Sequence, residues 1–391
     1  MPPATNCLKS DGRVRRLRPV RALLIDEGRD RASLVGARAL AADGWTVGCA
    51  AGVRSLASRS RACDAFHLLT PLASDPERFC ADVAAAMSDG DYEIVFPTWE
   101  AATSALSAYR SHLPGCFPFP EHDVLMRCFD KSRLAEAAQA CGIASPLTAP
   151  ATPEAIAGWS YPALVKPASH AEGFYRATLV HDAQSARDYA QAIATAGGRP
   201  LIQERIEGSL VAIAFVADRQ SQLLTVSQQR AELTWPRGVG VTARGVTEPP
   251  DRALIEKVSA LVAHLRWWGL AQVQFLRGAD GIARVIDFNG RYYGSMALAI
   301  NAGVNHPAAW ARTALEMPVP QMSQRDGIRY QWLTRDLRAS VMSGHPTQIA
   351  RALACAPRSA HSLYVPSEPM LAPRFLASQL RRSLARRLHL A

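Results

Sequence analysis

Lysine is scarce in this sequence, and long apolar runs are missing. Among its 44 Lys and Arg residues, the lysines are only Lys9, Lys131, Lys166 and Lys257. No apolar run approaches the ~20 residues that a membrane-spanning helix needs. The basic residues near the start are followed by no apolar segment of signal-peptide length. We therefore expect a cytoplasmic protein without a transmembrane segment.

Zinc, disulfide and nucleic-acid patterns are also lacking. The eight cysteines include no C-x-x-C pair and no histidine at zinc spacing, so we expect buried free thiols. The net charge of +10 lies largely near the two ends, and no nucleic-acid-binding motif is present. The sequence therefore predicts no nucleic-acid partner. In a chain that favours arginine, the few lysines indicate positions where a compact, flexible charge matters.

Strands and helices alternate over residues 20–120. Short apolar strands are predicted at Arg21–Ile25, Thr46–Ala50, Phe66–Leu69 and Glu93–Phe96, with helices between them. This repetition is typical of a parallel, Rossmann-like sheet. No G-x-G-x-x-G follows the first strand, so a dinucleotide site is not expected there. Residues 1–19 are a basic lead-in that we expect to be disordered.

The strongest chemical signal is the strand predicted at residues 285–291, V-I-D-F-N-G-R. Its apolar, β-favouring residues predict burial, and alternation places Asp287, Asn289 and Arg291 on one face. Asp287 and Asn289 offer oxygens to a hard cation such as Mg²⁺. Arg291 could hold a phosphate or carboxylate in its fork. The alternative is a solvated strand end with a structural Asp–Arg pair.

A second strand, at residues 270–276, comes before it across a Gly-Ala-Asp-Gly turn, which predicts a β-hairpin. The hairpin sets Gln274 beside Asp287 and Asn289. Gln274 followed by D-F-N-G-R resembles the metal-binding hairpin of the ATP-grasp superfamily. Gly290 stands where that family has proline. Gln274 stands where it more often has glutamate, although some carbamoyl-phosphate-synthetase-like members are similar there.

Two lysines fit the same resemblance. Lys166 lies in the apolar strand predicted at residues 161–167, where an unpaired buried ammonium is costly. Its V-K-P context resembles the family's strand lysine, which contacts an α-phosphate. Lys131 follows Asp130 between two helical segments, where the family has a D-K pair whose lysine reaches the phosphates. Simple continuation of the helix is the alternative interpretation of Lys131.

Nucleotide contacts implied by the resemblance fall in the strand and turn at residues 201–208. Gln203, Glu204 and Ile206 correspond to the hinge whose backbone pairs with the adenine edge. Leu210 occupies the position that usually supplies the ribose carboxylate. Glu207 is therefore the candidate for the ribose hydroxyls.

Further candidates lie in a strand and two loops. Arg230 could contact the γ-phosphate or an acyl-phosphate, and a surface arginine is the alternative. The glycine-rich segment 235–245 is predicted to be a loop over the active site, where Arg244 could hold an acceptor carboxylate. Residues 168–173 stand where the family has a glycine-rich flap over the phosphates, but only Gly173 is glycine.

Taken together, the resemblance implies a mixed α/β (α+β) fold with four parts. These are the lead-in, a Rossmann-like domain at 20–120, a two-subdomain ATP-grasp domain at 121–318, and a C-terminal extension at 319–391 with a basic amphipathic helix. The implied cofactors are ATP and Mg²⁺ or Mn²⁺. Gln274, Asp287 and Asn289 would hold the metal.

The implied function is an ATP-dependent ligase that forms an acyl-phosphate on a small-molecule carboxylate for attack by an amine. Arg291, Arg230 and Lys166 are its candidate catalytic residues, and a homodimer is one assembly we keep open. The alternatives are a carboxylase-type enzyme that activates bicarbonate, a degenerate nucleotide-binding module and, last, a nucleic-acid binder.

Overall fold

A computed structural model describes residues 19–28, 31–169, 176–375 and 377. These residues form two compact units. The first contains the described parts of Met1–Thr98, Tyr109–Pro118 and Leu363–Ala391, and the second contains Trp99–Ala108 and Phe119–Ser362. The basic lead-in up to residue 18, most of the glycine-poor flap and most of the C-terminal basic helix lie outside the described residues.

The first unit is built on a four-stranded parallel sheet in the order β3-β2-β1-β4. Its elements are β1 (Arg21–Ile25), α1 (Arg31–Ala42), β2 (Thr46–Ala51), β3 (Ala65–Leu68), α2 (Pro76–Asp89) and β4 (Ile94–Pro97). The central strand β1 is buried after its first residue, as apolar strands covered on both faces are. Asp75 caps α2 by accepting a hydrogen bond from the backbone N–H of Arg78. The predicted Rossmann-like parallel sheet is confirmed.

The second unit begins with three helices and a four-stranded antiparallel sheet in the order β5-β8-β6-β7. The elements are α3 (Glu100–Ala108), α4 (His122–Phe129), α5 (Lys131–Ala140), β5 (Thr148–Pro150), α6 (Pro153–Ala157), β6 (Ala163–Pro167), β7 (Thr178–Val180), α7 (Ala183–Thr195) and β8 (Pro200–Glu204). Val165, Ile193 and Ile202 are in the buried core between this sheet and its helices.

A seven-stranded sheet completes the second unit, in the order β13-β12-β9-β10-β11-β14-β15. The elements are β9 (Gly208–Ala217), β10 (Leu223–Trp235), β11 (Val241–Thr247), α8 (Arg252–Leu265), β12 (Gly269–Gly278), β13 (Ala283–Asn289), α9 (Met296–Asn301), α10 (His306–Ala314), β14 (Arg329–Gln331), α11 (Leu333–Met342), α12 (Pro346–Cys355) and β15 (Ser359–Ala360). The two sheets correspond to the two predicted subdomains.

The loop predicted at residues 235–245 is wrong over its second half. Val241–Thr247 is strand β11, which pairs with β10 on one side and with β14 on the other. The glycines suggested a loop, but Gly245 serves close packing: a Cβ there would lie 3.1 Å from the Arg230 carbonyl oxygen. Glycine content concealed a strand whose Ala243 and Arg244 are buried.

The residues of the predicted C-terminal extension are divided between the two units. Residues 319–362 belong to the second unit, whereas the described residues from Leu363 onward belong to the first. The sequence had suggested one separate extension over 319–391. Within the described ranges, no helix is both long and apolar enough to cross a bilayer.

Candidate active site

The hairpin of β12 and β13 brings the predicted metal residues together. The two strands are antiparallel, with Gln274 opposite Asp287 and Gln272 opposite Asn289. The register shifts beyond Gln274, where Phe275 faces Val285, so Ile286 is an extra, bulged residue. The bulge turns Ile286 toward the same cavity as Asp287, although strict alternation had predicted it to be buried on the opposite face.

Hydrogen bonds and an ion pair connect these side chains to one another. The Asn289 amide Nδ2 donates to Asp287 Oδ2 at 3.2 Å, and Arg291 Nη2 donates to Asn289 Oδ1 at 3.0 Å. Lys131 Nζ lies 3.7 Å from Asp287 Oδ1. Arg291 Nε is buried with no hydrogen-bond partner among the described residues. Buried N–H groups are normally satisfied, so an unpaired one is unusual.

Gly290 has a local reason to replace proline. A Cβ at this position would lie 2.1 Å from Cη2 of the Trp267 ring. Trp267 is fully buried and packs edge-to-face against Phe288, with ring centroids 4.8 Å apart. The indole therefore fills the space that a proline ring would need, and the core, rather than a stiff residue, holds the strand end in place.

Lys166 is buried in β6, and among the described residues its ammonium group has one hydrogen-bond acceptor. Nζ donates to Gln203 Oε1 at 3.0 Å, and Gln203 Nε2 in turn donates to Thr148 Oγ1 at 2.7 Å. Burial, reinforced by the charge of Lys131 and opposed by Asp287, lowers the pKa of Lys166 to about 7. An anion bound nearby would restore its full positive charge.

These groups line one cavity of about 350 Å³ within the second unit. Seven of the sequence-predicted site residues lie on its wall: Lys131, Lys166, Gln203, Gln274, Asp287, Asn289 and Arg291. Trp235, from the segment predicted to lie over the active site, also lines it, whereas the charged and aromatic lining side chains of Arg176, Trp332 and Arg335 were not predicted. Asp287 is the only carboxylate among the described lining residues, so the cavity favours anions.

Comparisons with known proteins agree on the architecture. Residues 199–336 match the family model described as ATP-grasp in the biosynthetic pathway with Ter operon. The fold resembles that of L-amino acid ligase from Bacillus licheniformis, with 17% identity, a TM-score of 0.59, and coverage of 76% of this chain and 75% of that one. This chain has an ATP-grasp fold. The resemblance noticed in the hairpin is thereby confirmed.

Other structures with this fold include a carboxylase domain and a synthetase. The biotin carboxylase domain of the Hydrogenobacter thermophilus 2-oxoglutarate carboxylase has 13% identity and a TM-score of 0.64, over 80% of this chain and 74% of that one. N5-carboxyaminoimidazole synthetase from Staphylococcus aureus has 12% identity and a TM-score of 0.63, over 84% and 86%. Comparison with curated proteins gives no match.

Four other predicted residues do not line the second unit's cavity. Arg230 pairs with Glu248, and Glu204 accepts a hydrogen bond from the backbone N–H of Leu147 at 2.8 Å. Glu207 is 78% exposed and pairs with Arg205. Ile206 lies between them, half-buried. Their assigned nucleotide contacts stay predictions, and Arg230 already has a carboxylate partner.

Arg244 is not available to an acceptor substrate. Its guanidinium forms a two-pronged pair with Asp336, at 2.9 Å from Nε to Oδ2 and 2.8 Å from Nη2 to Oδ1. Both side chains are almost fully buried. Gln331 Nε2 also donates to Asp336 Oδ2 at 2.7 Å. The hypothesis that Arg244 holds a carboxylate substrate is wrong, because an internal carboxylate 92 residues away in sequence occupies its fork.

That buried pair instead fixes the cavity wall. Asp336 lies in the first turn of α11, whose neighbouring residues Trp332 and Arg335 line the cavity. The Arg335 guanidinium lies over the Trp332 ring, 5.1 Å from its centroid. The sequence did not indicate that Trp332 and Arg335 line the cavity. The C-terminal region lacks a motif, and Asp336 is far in sequence from its partner Arg244.

The ATP-grasp fold implies a metal ion, and these residues could hold it only if phosphate oxygens supplied further ligands. Among the described residues, no three His, Cys, Asp or Glu side chains converge on a metal position. Asp287 supplies one carboxylate, and Gln274 and Asn289 supply amide oxygens. Mg²⁺ is commonly bound by one or two carboxylates together with substrate phosphates and water. The donor set therefore fits a cation that arrives with a nucleotide.

Proposed function

We propose that this protein is an ATP-dependent ligase that activates a small-molecule carboxylate as an acyl-phosphate and couples it to an amine. The observation that carries the proposal is the convergence of Lys131, Lys166, Asp287, Asn289 and Arg291 on one cavity. Among the described lining residues, two ammonium groups and three guanidinium groups accompany one carboxylate, and this excess of positive charge suits a triphosphate with its metal.

The first step transfers the γ-phosphoryl group. Its bond to the β-phosphate oxygen breaks as a new bond to the substrate carboxylate oxygen forms, and ADP leaves. Lys131, Lys166 and Arg291 offset the negative charge on the transferring group and on ADP. The phosphates raise the pKa of Lys166 from its value of about 7 in the free cavity, so the ammonium stays protonated. Asp287, Gln274 and Asn289 would hold Mg²⁺ or Mn²⁺, which neutralises phosphate charge when bound.

The second step forms the amide. The amine attacks the acyl carbon, phosphate leaves with the former carboxylate oxygen, and the nitrogen loses a proton. This chemistry needs no protein nucleophile. Arg335 and Trp332 line the same cavity outside the hairpin, and we assign them to the substrate end, where a guanidinium suits a carboxylate.

The test uses hydroxylamine as a general amine. The protein is incubated with Mg-ATP, pools of carboxylates and hydroxylamine, and both ADP and hydroxamate are measured. The ligase proposal expects ADP and hydroxamate in equal amounts with at least one pool. AMP as the nucleotide product, or no turnover with any pool, contradicts it. ATP binding without turnover would favour a degenerate nucleotide-binding module.

Activation of bicarbonate is the second candidate. It is favoured by the carboxylase among the similar structures, which was crystallised with MgADP and bicarbonate. The two candidates share the phosphoryl-transfer step and differ in the carboxylate. ADP release that depends on bicarbonate and needs no organic carboxylate would select the carboxylase. ADP release in bicarbonate-depleted buffer would select the ligase.

A further inference from the structure

The first unit contains a cavity of its own, of about 380 Å³. Its walls are Gly28, which follows β1, five residues between Arg54 and Arg61, which follow β2, and residues of the segment Glu368–Phe375. The cavity therefore lies beyond the carboxyl ends of parallel strands, where open α/β sheets bind ligands. The proposed ligase chemistry uses none of these residues.

Positive charge dominates the lining. Four arginines contribute to the wall: Arg54, Arg59, Arg61 and Arg374. All four are exposed, and Glu368 is the one acidic residue among the described lining side chains. Like charges gathered around one small concavity raise each other's energy, and a bound anion removes that cost.

Glu368 does not neutralise these arginines, because its carboxylate accepts hydrogen bonds from groups within the cavity wall. The Arg38 guanidinium donates to Oε2, the Ser60 hydroxyl donates to Oε1 at 2.7 Å, and the backbone N–H of Arg61 also donates to Oε1. Although burial opposes ionisation, these hydrogen bonds hold the pKa of Glu368 below its ordinary value. Glu368 is 8% exposed, so it is a structural anion.

The same contacts hold one wall of the cavity in place. Arg38 also donates to the carbonyl oxygen of Leu363 from both terminal nitrogens, at 3.3 Å. Residues 363–375 are thereby anchored to α1, and the apolar side chains of Met370, Leu371 and Phe375 line the cavity together with Leu56. Met370 is 55% exposed. The cavity thus combines guanidinium groups with apolar surface, which suits a ligand with both characters.

We propose that this cavity binds a small polyanion, of the class that includes phosphate esters and polycarboxylates. Guanidinium forks pair with both kinds of oxyanion, and an apolar part of the ligand would cover Met370 and Leu371. The proposal goes beyond the ligase function, and its test measures binding without ATP turnover.

The experiment is isothermal titration calorimetry of the full chain with pyrophosphate and with citrate, in buffer without divalent cations. All proteins carry Lys131→Ala and Lys166→Ala, which remove two phosphate-facing cations of the other cavity. The test variant adds Arg59→Gln and Arg374→Gln. The control adds Arg78→Gln and Arg187→Gln, two exposed helical arginines, and so makes the same change in net charge.

We expect one polyanion to bind the reference protein and the affinity to fall at least tenfold in the test variant, with less than a twofold change in the control. Tighter binding of pyrophosphate identifies a phosphate ester, and tighter binding of citrate identifies a polycarboxylate. No heat with either anion overturns the proposal, as does an equal loss in the control. If the test variant unfolds, Arg54→Gln replaces it, and retention of full affinity there counts against the site.

Discussion

The two cavities of this protein share a construction and differ in where their charges lie. Each has a wall from a later part of the chain, fixed by a buried Arg–carboxylate pair: Arg244 with Asp336 in the second unit, and Arg38 with Glu368 in the first. The second unit's cavity includes a buried cation on a regular element, Lys166 on β6. The first unit's cavity uses four exposed arginines, of which Arg59 and Arg374 lie in short helical segments and the other two lie outside helices and strands.

The difference lies in the cost of keeping each charge without a ligand. A buried ammonium loses its hydration, and the low pKa of Lys166 records that loss. An exposed guanidinium keeps most of its hydration, so its desolvation cost is small and mainly the repulsion from neighbouring arginines remains. The first arrangement suits a site that must hold a highly charged phosphate in fixed geometry. The second suits binding without chemistry, where orientation matters less.

The largest expected effect is on turnover. Asp287→Asn keeps the size of the side chain but removes the one carboxylate among the described residues that line the second unit's cavity, so we expect ADP release to fall by about 10³-fold or more. Thermal unfolding should stay within a few degrees of the parent protein. Asp280→Asn is the matched control, because Asp280 is on the turn of the same hairpin and pairs with Arg284 at the surface. Comparable loss in both variants would remove Asp287 from the site.

The buried pair in the second unit should dominate stability. Arg244→Leu leaves the Asp336 carboxylate buried, with Gln331 and Ser340 as its remaining side-chain partners among the described residues. We expect a loss of about 3–5 kcal/mol in the free energy of unfolding, measured with urea. Breaking the exposed pair with Arg284→Leu should cost about 1 kcal/mol or less. Equal losses would mean that the Arg244 pair is not buried in solution.

Lys166→Met should stabilise the ligand-free protein while abolishing turnover. The folded-state pKa of about 7 lies below the unfolded value of 10.5, so the unfolded chain binds the proton more tightly between these values. The parent protein therefore gains stability as pH rises from about 7 toward 10.5. We expect an advantage for the variant of roughly 2–4 kcal/mol at pH 7 or below, narrowing at high pH. A stability advantage of Lys166→Met that does not change with pH would refute the lowered pKa of Lys166.

The pair in the first unit should matter less than its counterpart. Arg38→Leu leaves Glu368 with hydrogen bonds from Ser60 and the backbone of Arg61. We therefore expect a loss of about 1–3 kcal/mol. Polyanion binding should weaken with it, because the wall at residues 363–375 loses its anchor, whereas ADP release by the second unit should be unchanged. A loss as large as that of Arg244→Leu would contradict the comparison between the two walls.

Local patterns were enough to predict the core of the candidate site. The hairpin register that sets Gln274 opposite Asp287 follows from two apolar strands and a glycine turn. Lys166 could be found because a lysine breaks an apolar strand, and that break needs a reason. The parallel sheet of the first unit followed in the same way from short strands alternating with helices.

Contacts between distant segments were not predictable in this way. Arg244 was assigned to an acceptor carboxylate and Arg230 to a phosphate, yet in the folded chain Arg244 pairs with Asp336 and Arg230 with Glu248. Trp332 and Arg335 have no motif around them. The arginines of the first unit's cavity resemble any other surface arginine until the strand ends and the segment Glu368–Phe375 come together.

The sequence by itself determined the elements and the chemically marked side chains on them, because β-alternation and the cost of burying charge act over a few residues. Only the tertiary structure decided which charges neutralise each other, which glycine makes room for Trp267, and which loops enclose a cavity. Those outcomes depend on pairing between parts of the chain far apart in sequence, and no local pattern records such a pairing.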